Sequence, residues 1–167
     1  MTHPPAPWRL RGQALVIPRG ATSGLFLATY TGETLAYHEL IVFRPGLVVS
    51  HIYVDDEQSL SGGHEIWGLP KELATFEYTR THFVARQEQT LLSASIRRRP
   101  GKVPLAIPAP IVSDAGATLG RARIKAAPAL VTLDVPPSSP FAHLGLSGTR
   151  PGLAGDDLEL TMPAPRS

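Results

Sequence analysis

The stretch His51–Tyr78, HIYVDDEQSLSGGHEIWGLPKELATFEY, places two strand-like runs around a helical or looped excursion and brings them together at one lysine, Lys71. In the first run Leu47, Val49, His51 and Tyr53 fall on one face, with Val48, Ser50, Ile52 and Val54 on the other. Asp55 and Asp56 then cap a short predicted helix over Glu57 to Leu60, which Gly62 and Gly63 are expected to end. Before the lysine, Gly68, Leu69 and Pro70 constrain the backbone and offer no polar side chain, and Trp67 stands close by. An amine held among a tryptophan, a leucine and a proline loses hydration, which disfavours its charged form and lowers its pKa. Lowered far enough, it becomes a nucleophile for a carbonyl carbon. Most lysines are solvated surface charges, so a chemical role for Lys71 needs a second observation.

That observation comes from Thr34 to Arg44, TLAYHELIVFR, the strongest strand of the first half. With a period of two, Leu35, Tyr37, Glu39, Ile41 and Phe43 share a face on which Glu39 is the single charge. If this face points inward, the carboxylate must be paired, hydrogen-bonded or protonated. The opposite face, Ala36, His38, Leu40 and Val42, is also largely apolar, so alternation alone leaves open which side Glu39 takes.

Other chemistries are excluded by what stands at the required positions. His64-Glu65 does not open a zinc-binding HExxH motif, because Gly68 occupies the place of the second histidine. His51 has no second ligand at a useful spacing and reads as a sheet or core histidine, so no metal site is expected. Ser61-Gly62-Gly63 lacks the GxSxG elbow of a hydrolase. Without cysteine there is neither a disulfide framework nor a thiolate site.

Elsewhere 17 prolines and 15 glycines punctuate the chain instead of pooling in a linker, which suits short strands joined by turns. Strands are predicted over Ala14 to Ile17, Gly24 to Tyr30, a hairpin joined near Gln87 to Gln89, Gly120 to Ala126, Ala129 to Val135 and Asp157 to Met162. VPLAIPAPIV is too proline-rich for a central strand and reads as an edge strand or a polyproline-like crossing. SPFAHLGL reads as a helical turn plugging an opening. The 167 residues are expected to form a single domain, 1–167, with residues 1–8 as an extended arm and 163–167 as a frayed tail. A net charge of +2 gives no footprint for nucleic acid, and the basic run Arg97, Arg98, Arg99 and Lys102 reads as a solvated tip. There is no apolar run near 20 residues for a membrane span and no signal-peptide pattern at the N-terminus, so a cytoplasmic protein is expected. The census gives a mainly β (β-dominated α+β) fold, closed or cone-like, whose interior can desolvate an amine.

The string YVDDEQSLSGGHEIWGLPKELA resembles the signature of the acetoacetate decarboxylase-like superfamily, where a VDD-type strand end leads through "GRE-x-W/S-G-F/Y-PK" to a Schiff-base lysine. Tyr37, His38 and Glu39 resemble that family's "Y-x-E", whose glutamate sits beside the lysine. The resemblance implies a cone-like antiparallel β-barrel, homo-oligomers, no cofactor and a small-molecule carbonyl substrate. It implies Lys71 and Glu39 as catalytic residues, with Trp67 and Tyr37 as pocket-lining or core aromatics. Four positions depart from the pattern. Glu72 replaces a second lysine, His64 replaces an arginine, Gly24 falls where a further glutamate is expected, and Gln13 falls at an arginine that aids carboxylate recognition, with Arg9 and Arg11 nearby. Two functions follow: a Schiff-base-forming lyase acting on a small oxo acid or carbonyl compound, decarboxylase or aldolase/dehydratase-like, or a non-catalytic β-barrel that binds an apolar small molecule.

Overall fold

The computed structural model describes residues 2–113 and 115–166. Its described elements are β1 (Trp8–Pro18), β2 (Gly24–Glu33), β3 (Leu35–Arg44), β4 (Val48–Val54), α1 (Glu57–Trp67), β5 (Lys71–Leu73), β6 (Thr75–Tyr78), β7 (His82–Arg86), β8 (Thr90–Arg98), β9 (Val103–Ser113), β10 (Gly116–Asp134) and β11 (Gly148–Met162), with a 3-10 turn at Ala142–Leu144. The strands form one sheet in the order β5-β4-β3-β2-β1-β11-β10-β8-β7-β6, with β9 pairing to β10. Among the described residues only β4 and β5 run parallel; α1 is the crossover that parallel neighbours require.

The mainly β expectation holds, but the closed antiparallel barrel does not. No ladder joins the two ends of the sheet among the described residues. The ends are β5 and β6, consecutive in the chain and separated by Ala74, so the sheet curls until its edges meet end to end. Two collinear pieces of one chain cannot pair side by side, which is why closure stops there. The seam is held by other bonds: Ala74 N–H donates to Val54 O at 2.9 Å, and Gln87 Nε2 donates to Leu73 O at 3.0 Å.

Both faces of β3 are apolar because both are covered. Leu40 and Val42 enter a core with Leu15, Leu27, Tyr53, Phe83, Leu92, Val131 and Phe141. Tyr37 and Ile41, one residue out of phase, enter a second with Trp8, Leu10, Tyr30, Trp67, Ile124 and Leu158. The period of two thus feeds two cores on opposite sides of one sheet. The proline-rich β9 is the expected edge strand, pairing only with β10 and laying Ile107, Ala109 and Ile111 over the second core.

Several boundaries move. The two strands expected on either side of Ala127-Pro128 are one, β10, which pairs with β9 over 116–126 and with β8 over 129–134. Pro128, with no N–H to donate, occupies the handover and accepts from Arg99 N–H at 2.8 Å. Helix α1 passes through Gly62 and Gly63 to Trp67 and ends at Gly68, whose φ of 60° is left-handed. Asp56 is its N-cap, accepting from Ser59 N–H at 2.7 Å. The tail is tied down through Arg166, whose N–H donates to Ala117 O at 3.1 Å; Ser167 lies outside the described residues. Arg98 is not solvated: its side chain is 12% exposed and 3.3 Å from Asp156, which Lys102 also reaches at 2.9 Å.

Phe141, at the start of the 3-10 turn, is fully buried and packs on His51 and Tyr53, so the SPFAHLGL segment plugs the first core. Truncating such a side chain removes its transfer energy and leaves a cavity. Phe141→Ala should lower the unfolding free energy by about 3–5 kcal/mol in a urea titration, through the midpoint and with little change in slope.

Candidate active site

Lys71 opens β5 opposite Ile52 of β4, directly after the end of α1. Leu69 N–H returns to Gly63 O and Lys71 N–H to Leu69 O, both at 2.9 Å, so the turn at Pro70 aims the lysine back toward the helix. His64 Nε2 lies 2.7 Å from Lys71 O. Since a carbonyl only accepts, the imidazole donates and pins the strand. The lysine stem lies against α1 where a glycine makes room: a Cβ at Gly63 would stand 2.4 Å from Lys71 Cδ. One residue earlier, a Cβ at Gly62 would stand 2.4 Å from Trp8 Cζ2. The glycine pair therefore provides close approach and does not end the helix, which is why its turn-like reading was misplaced.

The amine meets Glu39 Oε1 at 3.3 Å and donates to Ser59 Oγ at 2.9 Å. The ring centroids of Tyr37 and Trp8 lie 5.3 and 5.7 Å away, within cation–π reach. Tyr30 OH donates to the other carboxylate oxygen, Oε2, at 2.9 Å. The Lys71 and Glu39 side chains are 3% and 6% exposed. Burial lowers the Lys71 pKa; the Glu39 and Asp56 charges oppose it without cancelling it. Burial, reinforced by the Glu39 charge, raises the Tyr30 and Tyr37 phenols well above their ordinary value, so both remain neutral.

The pair lines a cavity of about 310 Å³ on the second-core face of the sheet. Tyr37 and Trp67 line it, as do Ile41, Phe43, Ile107 and Ile111. Trp67 also packs edge-on to Trp8 at 4.7 Å and donates through Nε1 to Pro163 O at 2.9 Å, so it is both wall and core.

The departures from the family pattern resolve one by one. Glu72 is exposed and accepts from Gln87 Nε2 at 3.1 Å; alternation along β5 turns it away from the buried Lys71. Arg11 is paired with Glu33 at 2.7 Å and Glu159 at 3.4 Å, and Arg9 is exposed. Neither arginine nor Gln13 lines the cavity, and Gly24 lines it without a side chain. Reading the segments singly missed Trp8, Tyr30 and Ser59. Tyr30 is opposite Tyr37, and Ala28 opposite Glu39, in the β2–β3 register. That pairing was the available signal, since it sets a phenol beside the carboxylate.

Fold and site together define a mainly β protein whose single sheet carries an apolar cavity closed by a buried amine and carboxylate. Residues 24–106, about half of the chain and spanning both Glu39 and Lys71, match the acetoacetate decarboxylase (ADC) family model. The chain belongs to the acetoacetate decarboxylase-like superfamily. No curated protein matches it in sequence. Among solved structures, acetoacetate decarboxylase from Legionella pneumophila is 16% identical at a TM-score of 0.58, over 98% of this chain and 88% of that one. The enduracididine biosynthesis enzyme MppR is 12% identical at 0.63, over 99% and 88%, and has also been solved with pyruvate. An acetoacetate decarboxylase-like enzyme from Sphingomonas wittichii is 9% identical at 0.56, over 93% and 89%. At these identities the likeness is one of fold.

The buried pair has a pH signature. With the folded Lys71 pKa below the unfolded value of about 10.4, the unfolded chain binds more protons between the two, so stability rises with pH across that window. Tyr30 and Tyr37 act oppositely above about pH 10, where only the unfolded chain releases their protons. Lys71→Met/Glu39→Gln removes both charges together, leaving neither buried alone. Urea midpoints from pH 7 to 10.5 should show the rise in the wild type and not in this variant, which should be at least as stable at pH 7.

Proposed function

We propose that the chain is a Schiff-base-forming lyase acting on a small carbonyl compound through Lys71. The observation that carries this is the Lys71 amine, buried at the end of an apolar cavity with Glu39 at 3.3 Å. Desolvation supplies the free amine, and the carboxylate beside it takes or returns a proton. Nζ attacks the carbonyl carbon, the oxygen departs as water, and a protonated imine remains. Its positive charge sits beside Glu39 and the faces of Tyr37 and Trp8, where the ammonium sat before. The imine withdraws electrons from the bond to the neighbouring carbon. Loss of carbon dioxide from a 3-oxo acid, cleavage of an aldol, or transfer of the α-proton to Glu39 then gives the enamine. Ser59 Oγ, 2.9 Å from Nζ, orients the amine from the helix side. Tyr30 keeps Glu39 oriented from the far side.

A second reading, binding without catalysis, draws support from the otherwise apolar wall. It gives no use to the amine and carboxylate, whose burial together is often no better for stability than apolar packing. On that reading Lys71→Ala leaves ligand affinity almost intact; on ours the loss is large.

The test is borohydride trapping with a panel of oxo acids, ketones and aldehydes, followed by peptide mass spectrometry. We expect an adduct at Lys71 that is absent from Lys71→Arg. Glu39→Gln should still be trapped, while α-proton exchange of the ligand in heavy water slows by about 10²- to 10⁴-fold. A blank panel with folded protein, and a Lys71 titrating near its ordinary value, would overturn the proposal.

A further inference from the structure

The cavity extends well beyond the reacting pair. Tyr37, Glu39, Ile41 and Phe43 follow one another along the same face of β3, so the wall runs four residues, about 13 Å, from Glu39 to Phe43. It continues to Val49, Leu47 and the Pro18–Gly24 turn at the mouth. Opposite stand Ile107 and Ile111 of β9. Taking about 30 Å³ per packed heavy atom, by analogy with liquid water, 310 Å³ holds roughly ten heavy atoms.

The polar inventory of this space is short. Lys71 is the only cationic residue lining it among the described residues, and Glu39 the only anionic one. The indole N–H groups of Trp8 and Trp67 are committed to Pro4 O and Pro163 O, and Tyr30 OH to Glu39, which leaves the neutral hydroxyls of Ser23 and Tyr37 as the other polar side-chain groups lining it among the described residues. Two arginines lie near the mouth in sequence, Arg19 and Arg44, and neither lines the cavity; Arg19 rests against Gly145 instead. A carboxylate-bearing ligand would therefore place a second anion beside Glu39, or leave its charge against isoleucine and phenylalanine with no cationic partner. Burial of an unpaired carboxylate is strongly unfavourable. An uncharged chain suits the same wall.

Building on the imine reading above, we propose that the substrate is an uncharged, elongated aldehyde or ketone with no carboxylate, its carbonyl at Lys71 and its apolar chain lying between β3 and β9. The electron pair that enters the enamine then comes from a C–H bond or from the C–C bond of a β-hydroxy carbonyl compound, not from a carboxylate. In the cleavage, the hydroxyl proton passes to Glu39, the C–C bond breaks and an aldehyde leaves. The enamine then takes up a proton, and water releases the product from Lys71.

The experiment compares nonan-2-one with the chain-matched 2-oxononanoate on the intact protein. Trp8 and Trp67, the only tryptophans, both line the cavity, so intrinsic fluorescence reports binding independently of trapping. We expect the ketone to bind about ten-fold more tightly or better, and borohydride to fix the ketone, not the oxo acid, at Lys71. Ile111→Arg, on the half-buried edge strand, should shift the preference toward the oxo acid by supplying the missing cation. Equal or tighter binding of the oxo acid by the wild type, no response to either compound, or an unchanged preference in Ile111→Arg would overturn the proposal. Preferential ketone binding without an adduct from any carbonyl would sustain the selectivity and remove the imine reading on which the chemistry rests.

Discussion

The burial of an ammonium beside a carboxylate organises the rest of this structure. Taken separately, either charge would be strongly disfavoured away from water, and even together their attraction does not reliably outweigh the desolvation of both. The surroundings meet that cost with directed bonds. Ser59 and the two aromatic faces address the amine, and Tyr30 takes the carboxylate oxygen that Lys71 leaves free. The hydrogen-bonded groups come from four elements: Glu39 from β3, Tyr30 from β2, Ser59 from α1 and Lys71 from β5. The pair is assembled only when the β4-α1-β5 crossover has docked on the β2–β3 ladder. A charge pair with so little net contribution persists where it has a use.

Geometry around the crossover serves the same end. A parallel strand of three residues is a weak element alone, and β5 is fixed mostly from outside its ladder. His64 holds the Lys71 carbonyl, Gln87 holds the Leu73 carbonyl, and Ala74 carries the pairing one residue further. The same short strand ends the sheet, so the place where the curl fails to close by hydrogen bonds is also where the lysine enters. A closed ladder at that point would need a continuous neighbour for β5, and the chain instead turns directly into β6. Closure and the placement of Lys71 compete for the same residues.

Much of this was legible because it depends on local rules. The strand, helix and strand around 51–78, the Asp56 cap and the proline-marked edge strand all follow from alternation and backbone chemistry within a few residues. Two kinds of feature were not. Gly62 and Gly63 read as a helix stop because a glycine pair states only that no side chain fits, not what approaches; Trp8 and Lys71 supply the reason, from outside the local pattern. Which face of β3 held Glu39 was equally hidden, since the sheet is covered on both sides and hydrophobicity no longer marks the interior. In Glu72 the sequence neighbour of the lysine suggested a conflict that the pleat removes, because adjacent strand residues face opposite ways.

Chemistry and selectivity draw on different parts of the chain. Lys71, Glu39 and the groups that hydrogen-bond them lie within β2 to β5, whereas much of the cavity wall comes from β9, β10 and β11. Of these, β9 has one hydrogen-bonded neighbour and carries Pro104, Pro108 and Pro110, so few backbone donors and few packing partners depend on its sequence. Its inward side chains can change with little effect on the ladder, and none of them is among the groups that touch the amine. A scaffold arranged in this way keeps one buried amine–carboxylate pair while the shape and charge of its cavity can be rewritten from a single edge strand. In this chain that strand presents isoleucine and alanine, and among the described residues the wall it completes has no charge beyond the pair itself.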